Sequence, residues 1–279
     1  MIIEIKGTGS HNKGAEMMLL TILQELGKQD IKFAMAPIKG VNEYTFYSKL
    51  GIYPKAWLCI KGFQVGRFGK MIPKRIRDLY GLIADEEVDV IIDSSGFAYS
   101  SQWGEAPAKI MAQDTRRWKK MNKKIILMPQ AFGPFQSSSI RSSMKQIIDN
   151  SDLIFARDEF SYSELLNLSN TKEKIWMAPD FTILLQGEVP SYFDPAKHQI
   201  CIVPNQRMKD RKDETETILY EEFLAKIIEY VQKSTLIPFF LIQGGHEDLM
   251  LAEKVNSLLT KQIEILHEED AHSVKGIIS

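Results

Sequence analysis

The feature that most limits how this chain can fold is an alternation of short, nearly continuous apolar runs with longer amphipathic segments. Ile2–Lys6, Ile31–Met35, Val88–Asp93, Lys124–Pro129 and Leu153–Ala156 are strand-like. Between them, 15–26 carries Met17, Met18, Leu20, Ile22 and Leu26 at helical spacing, and 105–121, 138–149 and 158–167 are helix-like. Strands that are apolar on both faces, each followed by a helix, predict a parallel sheet covered on both sides, and so an α/β fold. Gly187, Pro190, Asp194 and Pro195 then crowd a stretch at 186–197 without a periodic apolar face, which predicts an interdomain linker. The pattern restarts with strands at 199–204, 236–243 and 263–266 and helices at 218–231 and 247–259. We therefore expect two domains, 1–187 and 188–279. The second is short, at roughly 80 residues against the 100–150 common for a domain. It ends on Gly276-Ile277-Ile278-Ser279, a strand-like segment with no closing helix, so the expectation is a truncated second domain in a fragment of a longer chain.

Charge and composition remove several classes of function. With 35 basic against 36 acidic residues the net charge is −1, and no nucleic-acid partner is expected. A hydrophobic content of 44% is too high for a disordered chain. Two cysteines, Cys59 and Cys201, suit neither a disulfide scaffold nor a cysteine-rich zinc site, and point to a reducing, cytoplasmic compartment. The five histidines have no ligand-like spacing, so no metal site is expected; His267 and His272 flank acidic residues in what reads as a solvated loop. The chain opens on a strand, not a leader pattern, and no run nears the 18 or so apolar residues of a membrane span. Membrane association, if present, must be peripheral. One stretch suits it: 61–77 carries Lys61, Arg67, Lys70, Lys74, Arg75 and Arg77 among Phe63, Val65, Phe68, Met71, Ile72 and Ile76. A basic amphipathic helix of this kind lies on anionic membranes, and a solvated surface segment is the plainer alternative.

Chemistry is expected in the loops beyond the carboxyl ends of the strands, where open parallel sheets hold their ligands. The first is Gly7-Thr8-Gly9-Ser10-His11-Asn12-Lys13-Gly14-Ala15-Glu16. Its glycines permit close backbone approach, and the following helix N-terminus suits an anion, with Lys13 adding charge. Asn12 stands where a dinucleotide fingerprint needs glycine, so a plain turn with Asn12 as helix cap is the alternative. The second loop is Asp93-Ser94-Ser95-Gly96-Phe97-Ala98-Tyr99, where Asp93 and Ser94 could simply cap the next helix. Ser95 lacks the nucleophile-elbow pattern of a serine hydrolase. The third is Met128-Pro129-Gln130-Ala131-Phe132-Gly133-Pro134-Phe135, and the fourth runs from Ala156 through Arg157 to Ser161. Arg157 is placed to grip a carboxylate or phosphate with its planar fork, or else to pair with Asp158 or Asp180. The fifth is Gln243-Gly244-Gly245-His246-Glu247-Asp248, where His246 serves as acid, base or anion contact, or caps its helix at the surface.

Taken together, Asn12–Glu16, Asp93–Tyr99, Pro129–Phe135, Arg157–Ser161, Ala178-Pro179-Asp180 and the Gln243–Asp248 segment resemble the polysaccharide pyruvyl transferase family in order and approximate spacing. The resemblance covers nearly the whole chain. It implies a GT-B-like architecture of two Rossmann-like domains with parallel sheets. It also implies a transferase that moves the enolpyruvyl group of phosphoenolpyruvate onto a sugar of a surface polysaccharide or its precursor, forming a ketal and releasing phosphate. Phosphoenolpyruvate is then a donor substrate and no cofactor or metal is implied; the acceptor is a glycan, lipid-linked in one version. The residues carried over as substrate-binding are Asn12, Lys13, Glu16, Ser95, Gln130, Arg157 and Gly245, with His246 as the catalytic candidate. The expected location is cytoplasmic, with peripheral contact at the inner face of the membrane through 61–77. The family's Arg-x-His motif of the second domain has no counterpart, since no arginine follows Arg211; we expect it in chain beyond Ser279. A GT-B glycosyltransferase using a nucleotide-sugar and a non-catalytic glycan-binding relative are the alternatives.

Overall fold

Parallel strands and capped helices appear where the alternation places them in a computed structural model of the chain. It describes residues 1–10, 12–37, 44–56, 59–60, 63–64, 69–169, 172–209 and 214–279, without the side chains of 59–60, 63–64 and 214–219. His11, Lys61, Val65, Arg67 and Phe68 of the expected motifs lie outside the described residues. The chain divides into two compact units, Met1–Leu184 and Leu185–Ser279.

In chain order the first unit contains β1 (Ile2–Lys6), α1 (Lys13–Leu26), β2 (Lys32–Met35), α2 (Tyr44–Lys49), β3 (Tyr53–Pro54), β4 (Cys59–Ile60), β5 (Phe63–Gln64) and α3 (Lys74–Leu79). It continues with β6 (Val90–Asp93), α4 (Ala106–Lys120), β7 (Lys124–Gln130), α5 (Ser138–Asn150), β8 (Leu153–Ala156), α6 (Glu159–Leu168) and β9 (Ile175–Met177). Seven of the described strands form one sheet in the order β3-β2-β1-β6-β7-β8-β9, every pairing parallel. From β1 the chain walks outward one way to β3, then returns to the other side of β1 at β6. The strand order therefore reverses between β1 and β6, the topological switch point at which such sheets hold ligands.

Local chemistry sets the helix starts. Asn12 Oδ1 accepts from Ala15 N–H at 2.8 Å, Ser137 Oγ from Ile140 N–H at 3.2 Å and Asp158 Oδ1 from Ser161 N–H at 2.8 Å. Each satisfies one of the donors that a helix leaves free at its first turn. Packing sets the rest. Ile140, Met144, Ile147 and Ile148 of α5 join Met111 and Trp118 of α4 over Ile91, Ile125 and Leu127 on one face of the sheet. Met18, Leu19 and Ile22 of α1 cover Ile3, Ile5 and Ile92 on the other. Burying such a side chain contributes about 1.5–3 kcal/mol, so two apolar layers hold the sheet between them.

The stretch 61–77 is not a single helix. Among its described residues β5 pairs antiparallel with β4 just before the stretch, and α3 follows Pro73. Gly62, Gly66, Gly69 and Pro73 interrupt any continuous helical run there.

The second unit comprises β10 (Ile200–Ile202), α7 (Glu214–Gln232), β11 (Pro238–Ile242), α8 (His246–Leu258), β12 (Glu264–His267) and α9 (Ala271–Ile278). Its strands are parallel in the order β10-β11-β12, with α7 and α8 packed on Phe240 and Ile242. Two expectations change here. Residues 276–278 belong to helix α9, not to a strand, because Asp270 accepts from Ser273 N–H at 2.7 Å and Ala271, Val274 and Ile277 share a buried face. The stretch 186–197, expected as a linker, is packed into this unit. Gly187 lies against Gly276 of α9, Gln186 O bonds His272 Nδ1 at 3.0 Å, and the Phe193 ring stacks 5.0 Å from that of His198.

Glu221 of α7 ties the loop after β10 to α7 and α8. Lys209 and Lys254 each donate to its Oε1 at 2.8 Å. Burial pushes the carboxyl up, but the two ammonium groups outweigh it and hold Glu221 below its ordinary value. A depressed folded value gives stability that is present above the ordinary carboxyl range and is lost as pH falls through the depressed one. Glu221→Gln should thus cost about 1–2 kcal/mol at pH 7, and the gap to the unmodified chain should close below the ordinary value of 4.5. Urea denaturation across pH checks this.

Candidate functional site

The loops beyond β1, β6, β7, β8 and β9 lie side by side along one edge of the sheet because all five strands run the same way. Backbone hydrogen bonds weld them in series. Ser94 N–H donates to Lys6 O at 2.9 Å, Ala131 to Gly96 O at 2.9 Å, Gly133 to Tyr99 O at 3.0 Å, Arg157 to Gln130 O at 3.0 Å and Ala178 to Ala156 O at 3.0 Å. The rim is therefore a continuous, pre-formed surface.

At the switch point the fit is tight. Gly7 has φ +74°, and a Cβ there would stand 2.6 Å from Ser95 Cα. Only glycine lets the two loops meet this closely. Behind them Asp93 is fully buried and accepts from both Ser95 Oγ and Tyr99 Oη. Burial raises the Asp93 carboxyl, while the two hydroxyls and the Lys6 ammonium pull against that rise. Burial, with the Asp93 charge beside it, pushes the Tyr99 phenol well above its ordinary value, so Tyr99 stays a donor. Thr8 Oγ1 donates to Ala15 O and folds the first loop onto α1.

Asn12 caps α1, as the plainer alternative for it anticipates. Lys13 and Glu16 are spent on each other, with Nζ and Oε2 at 2.7 Å in an i, i+3 pair. Ser95 is turned toward Asp93. Gln130 lies where β7 meets β8. Pro129 has no N–H to offer the ladder, and the register shifts between Leu127 and Gln130. The Gln130 side chain is buried, and among the described residues neither Oε1 nor Nε2 has a hydrogen-bond partner. Such an amide is costly unless something completes it. One strand further on, Arg157 Nη1 donates to Asp180 Oδ2 at 3.1 Å, and its side chain is 35% exposed. Asp180 also accepts from Thr182 N–H at 3.0 Å and Thr182 Oγ1 at 2.8 Å.

Gln130 and Arg157 are thus neighbours, on adjacent strands. Lys13 is not one of them: β1 and β8 are three strand spacings apart, about 14 Å. In the second unit Gly245 is the N-cap residue of α8 and His246, exposed, opens the helix. Asp248 Oδ1 accepts from Gln206 N–H at 2.8 Å, fastening the loop after β10 to the turn after β11.

Sequence reasoning missed the role of Asp93 and Tyr99 as a buried acceptor–donor pair, and of Glu164, whose Oε2 takes the Phe135 N–H at 3.1 Å. The spacing of Asp93, Ser95 and Tyr99 within one loop was the available signal. Among the described residues no three His, Cys, Asp or Glu side chains gather as a metal site would need.

A family model, polysaccharide pyruvyl transferase, matches residues 12–279. No curated protein sequence matches the chain. Among solved structures it is similar to UDP-GlcNAc 2-epimerase from Methanocaldococcus jannaschii (12% identity, TM-score 0.53, covering 99% of this chain and 76% of that one). It is similar also to UDP-GlcNAc 2-epimerase from Neisseria meningitidis bound to UDP-GlcNAc (9%, 0.57, 100% and 75%), and to MnaA of S. aureus with UDP (13%, 0.52, 98% and 70%). At these identities the likeness establishes the fold, an α/β architecture of the GT-B type.

Proposed function

Because the chain belongs to the polysaccharide pyruvyl transferase family, we propose that it moves the enolpyruvyl group of phosphoenolpyruvate onto a sugar of a surface polysaccharide or its precursor. The family match carries this reading, and the first unit offers a place for the donor. Arg157 supplies a two-pronged cation for a carboxylate or phosphate. The Gln130 amide, buried at the end of the neighbouring strand, has donors and an acceptor without partners among the described residues. In the reaction the donor methylene takes a proton, two sugar hydroxyls each lose theirs as their oxygens bond to the adjoining carbon, and that carbon's bond to the phosphate oxygen breaks; of the two hydroxyl protons one balances the methyl and the other leaves with inorganic phosphate. His246, at a helix N-terminus and exposed, is the candidate acid–base group of the second unit. Asn12, Lys13 and Glu16 act by fixing the start of α1, Ser95 by joining the first two loops, and Gly245 by leaving the α8 N-terminus open. The acceptor is a glycan, the donor requires no further cofactor, and a cytoplasmic site of action is part of the reading.

Calorimetry with phosphoenolpyruvate and with UDP-GlcNAc tests it, the second ligand being chosen because structures of the same fold hold UDP or UDP-GlcNAc. Phosphoenolpyruvate should bind. Its failure to bind, with UDP-GlcNAc binding in its place, overturns pyruvyl transfer in favour of a nucleotide-sugar enzyme. Arg157→Ala should raise the phosphoenolpyruvate Kd by about ten- to a hundredfold, the worth of hydrogen bonds to a charged group. Arg157→Lys should recover only part, because an ammonium lacks the planar fork. The ion pair to Asp180 is a third exposed, so fold stability should barely move. An unchanged Kd in folded Arg157→Ala removes this residue from the site.

A further inference from the structure

Residues 70–80 invert the ordinary logic of a surface segment. Met71 is 74% exposed, Ile76 47%, Leu79 78% and Tyr80 72%, with Ile72 also open, whereas the residue turned inward is the charged Arg77, at 8%. Arg77 is the anchor. Its Nε donates to Ile72 O at 3.1 Å, and its Nη1 pairs with Glu87, which in turn accepts from Ala84 N–H at 2.8 Å. Ile76 and Leu79 lie on α3, Tyr80 is its C-cap, and Met71 and Ile72 precede Pro73, so the exposed apolar side chains sit on the short helix and both its flanks. They are held away from the core by an arginine tether.

The charge around it leans positive. From Lys70 to Tyr80 there are four basic residues, Lys70, Lys74, Arg75 and Arg77, against the single acidic Asp78, in a chain whose net charge is −1. Lys74 and Arg75 are exposed beside the apolar residues, and Lys70 meets Glu86 only at 3.8 Å across an open surface. The neighbouring carboxylates Asp85 and Glu87 are committed to Lys55, Arg117 and Arg77. An exposed apolar cluster ringed by uncommitted cations suits a surface that is apolar within and anionic at its face. A second copy of the chain offers no matching excess of negative charge at this segment, and a nucleic acid would leave the apolar side chains in water.

We propose that residues 70–80 form a docking surface for an anionic phospholipid bilayer, with Ile76, Leu79, Tyr80 and Met71 entering the headgroup region and Lys74, Arg75 and Lys70 facing acidic headgroups. The proposal stands on this surface alone and does not depend on the pyruvyl transfer reading. The test is co-sedimentation of the full chain with vesicles of phosphatidylcholine, with and without phosphatidylglycerol. The chain should bind the anionic vesicles, release on raising salt, and ignore the neutral ones. Ile76→Ser/Leu79→Ser should weaken binding about tenfold or more through lost apolar insertion. Lys74→Gln/Arg75→Gln should weaken it by about tenfold through lost attraction. Both pairs lie at the surface and should leave the melting temperature unchanged; were the serine pair to unfold, the glutamine pair still decides. Absence of binding to anionic vesicles overturns the proposal. So does binding indifferent to both pairs of substitutions, or a change of oligomeric state in the variants without lipid, which would assign the face to protein contact.

Discussion

Lys55→Met should destabilise the first unit by about 3–5 kcal/mol, the cost of stranding buried charge. Lys55 is 4% exposed and its Nζ bridges Glu4 and, at 2.6 Å, Asp85, which are equally buried. Asp85 also holds Arg117, Arg117 reaches Asp114 at 3.5 Å, and Lys6 stands 3.8 Å from the same aspartate. Three cations and three carboxylates are thus interleaved, and Lys6, Lys55 and Arg117 all lie within 6 Å of the Trp118 ring. Removing Lys55 takes away the ammonium that bonds the buried Glu4 carboxylate. Lys55→Met/Glu4→Gln should recover much of the loss at pH 7, because Asp85 keeps Arg117. Urea denaturation of the single and double variants at pH 7 checks this; additive losses would show that the network is not coupled.

Gly7→Ala should cost about 3 kcal/mol. Part is the penalty of roughly 1–2 kcal/mol for a side chain at positive φ. The remainder, about 1–3 kcal/mol, is overpacking against a neighbour that cannot yield, since a Cβ would meet Ser95 at its Cα, 2.6 Å away, and not merely at a mobile tip. Pushing Ser95 aside also loosens its bond to buried Asp93, and with it the seating of the second loop against the first. The measurable result is a lowered urea midpoint together with weaker donor binding. Gly104→Ala serves as control: it shares the positive φ, but a Cβ there meets nothing within 4 Å, so it should show the strain alone. Equal losses in the two variants would deny the close approach at Gly7.

These two sites mark the border between what local sequence dictates and what assembly dictates. Val90–Asp93 and Lys124–Gln130 are apolar enough to be legible as buried parallel strands, and Asn12, Ser137 and Asp158 announce their helices by their own side chains. The loops that carry the site were legible for the same reason: in a parallel sheet the position after each strand is known once the strand is known. The end of the chain was misread because Gly276-Ile277-Ile278 has no period of its own. Only Asp270 upstream and the packing of α9 against the Gly187 stretch make it helical.

The amino-acid sequence by itself determined the secondary structure, the parallel direction of the strands, the family and the edge on which the candidate site stands. All of these follow from apolar period, cap residues and motif order within a few tens of residues. Which charges meet was decided by tertiary structure alone. Arg157 turned to Asp180, Lys55 inward to Glu4 and Arg77 inward to Glu87, leaving Ile76 and Leu79 of α3 in water. Coulomb attraction and desolvation act between groups that come together only when the sheet is assembled, and no spacing along the chain encodes those distances.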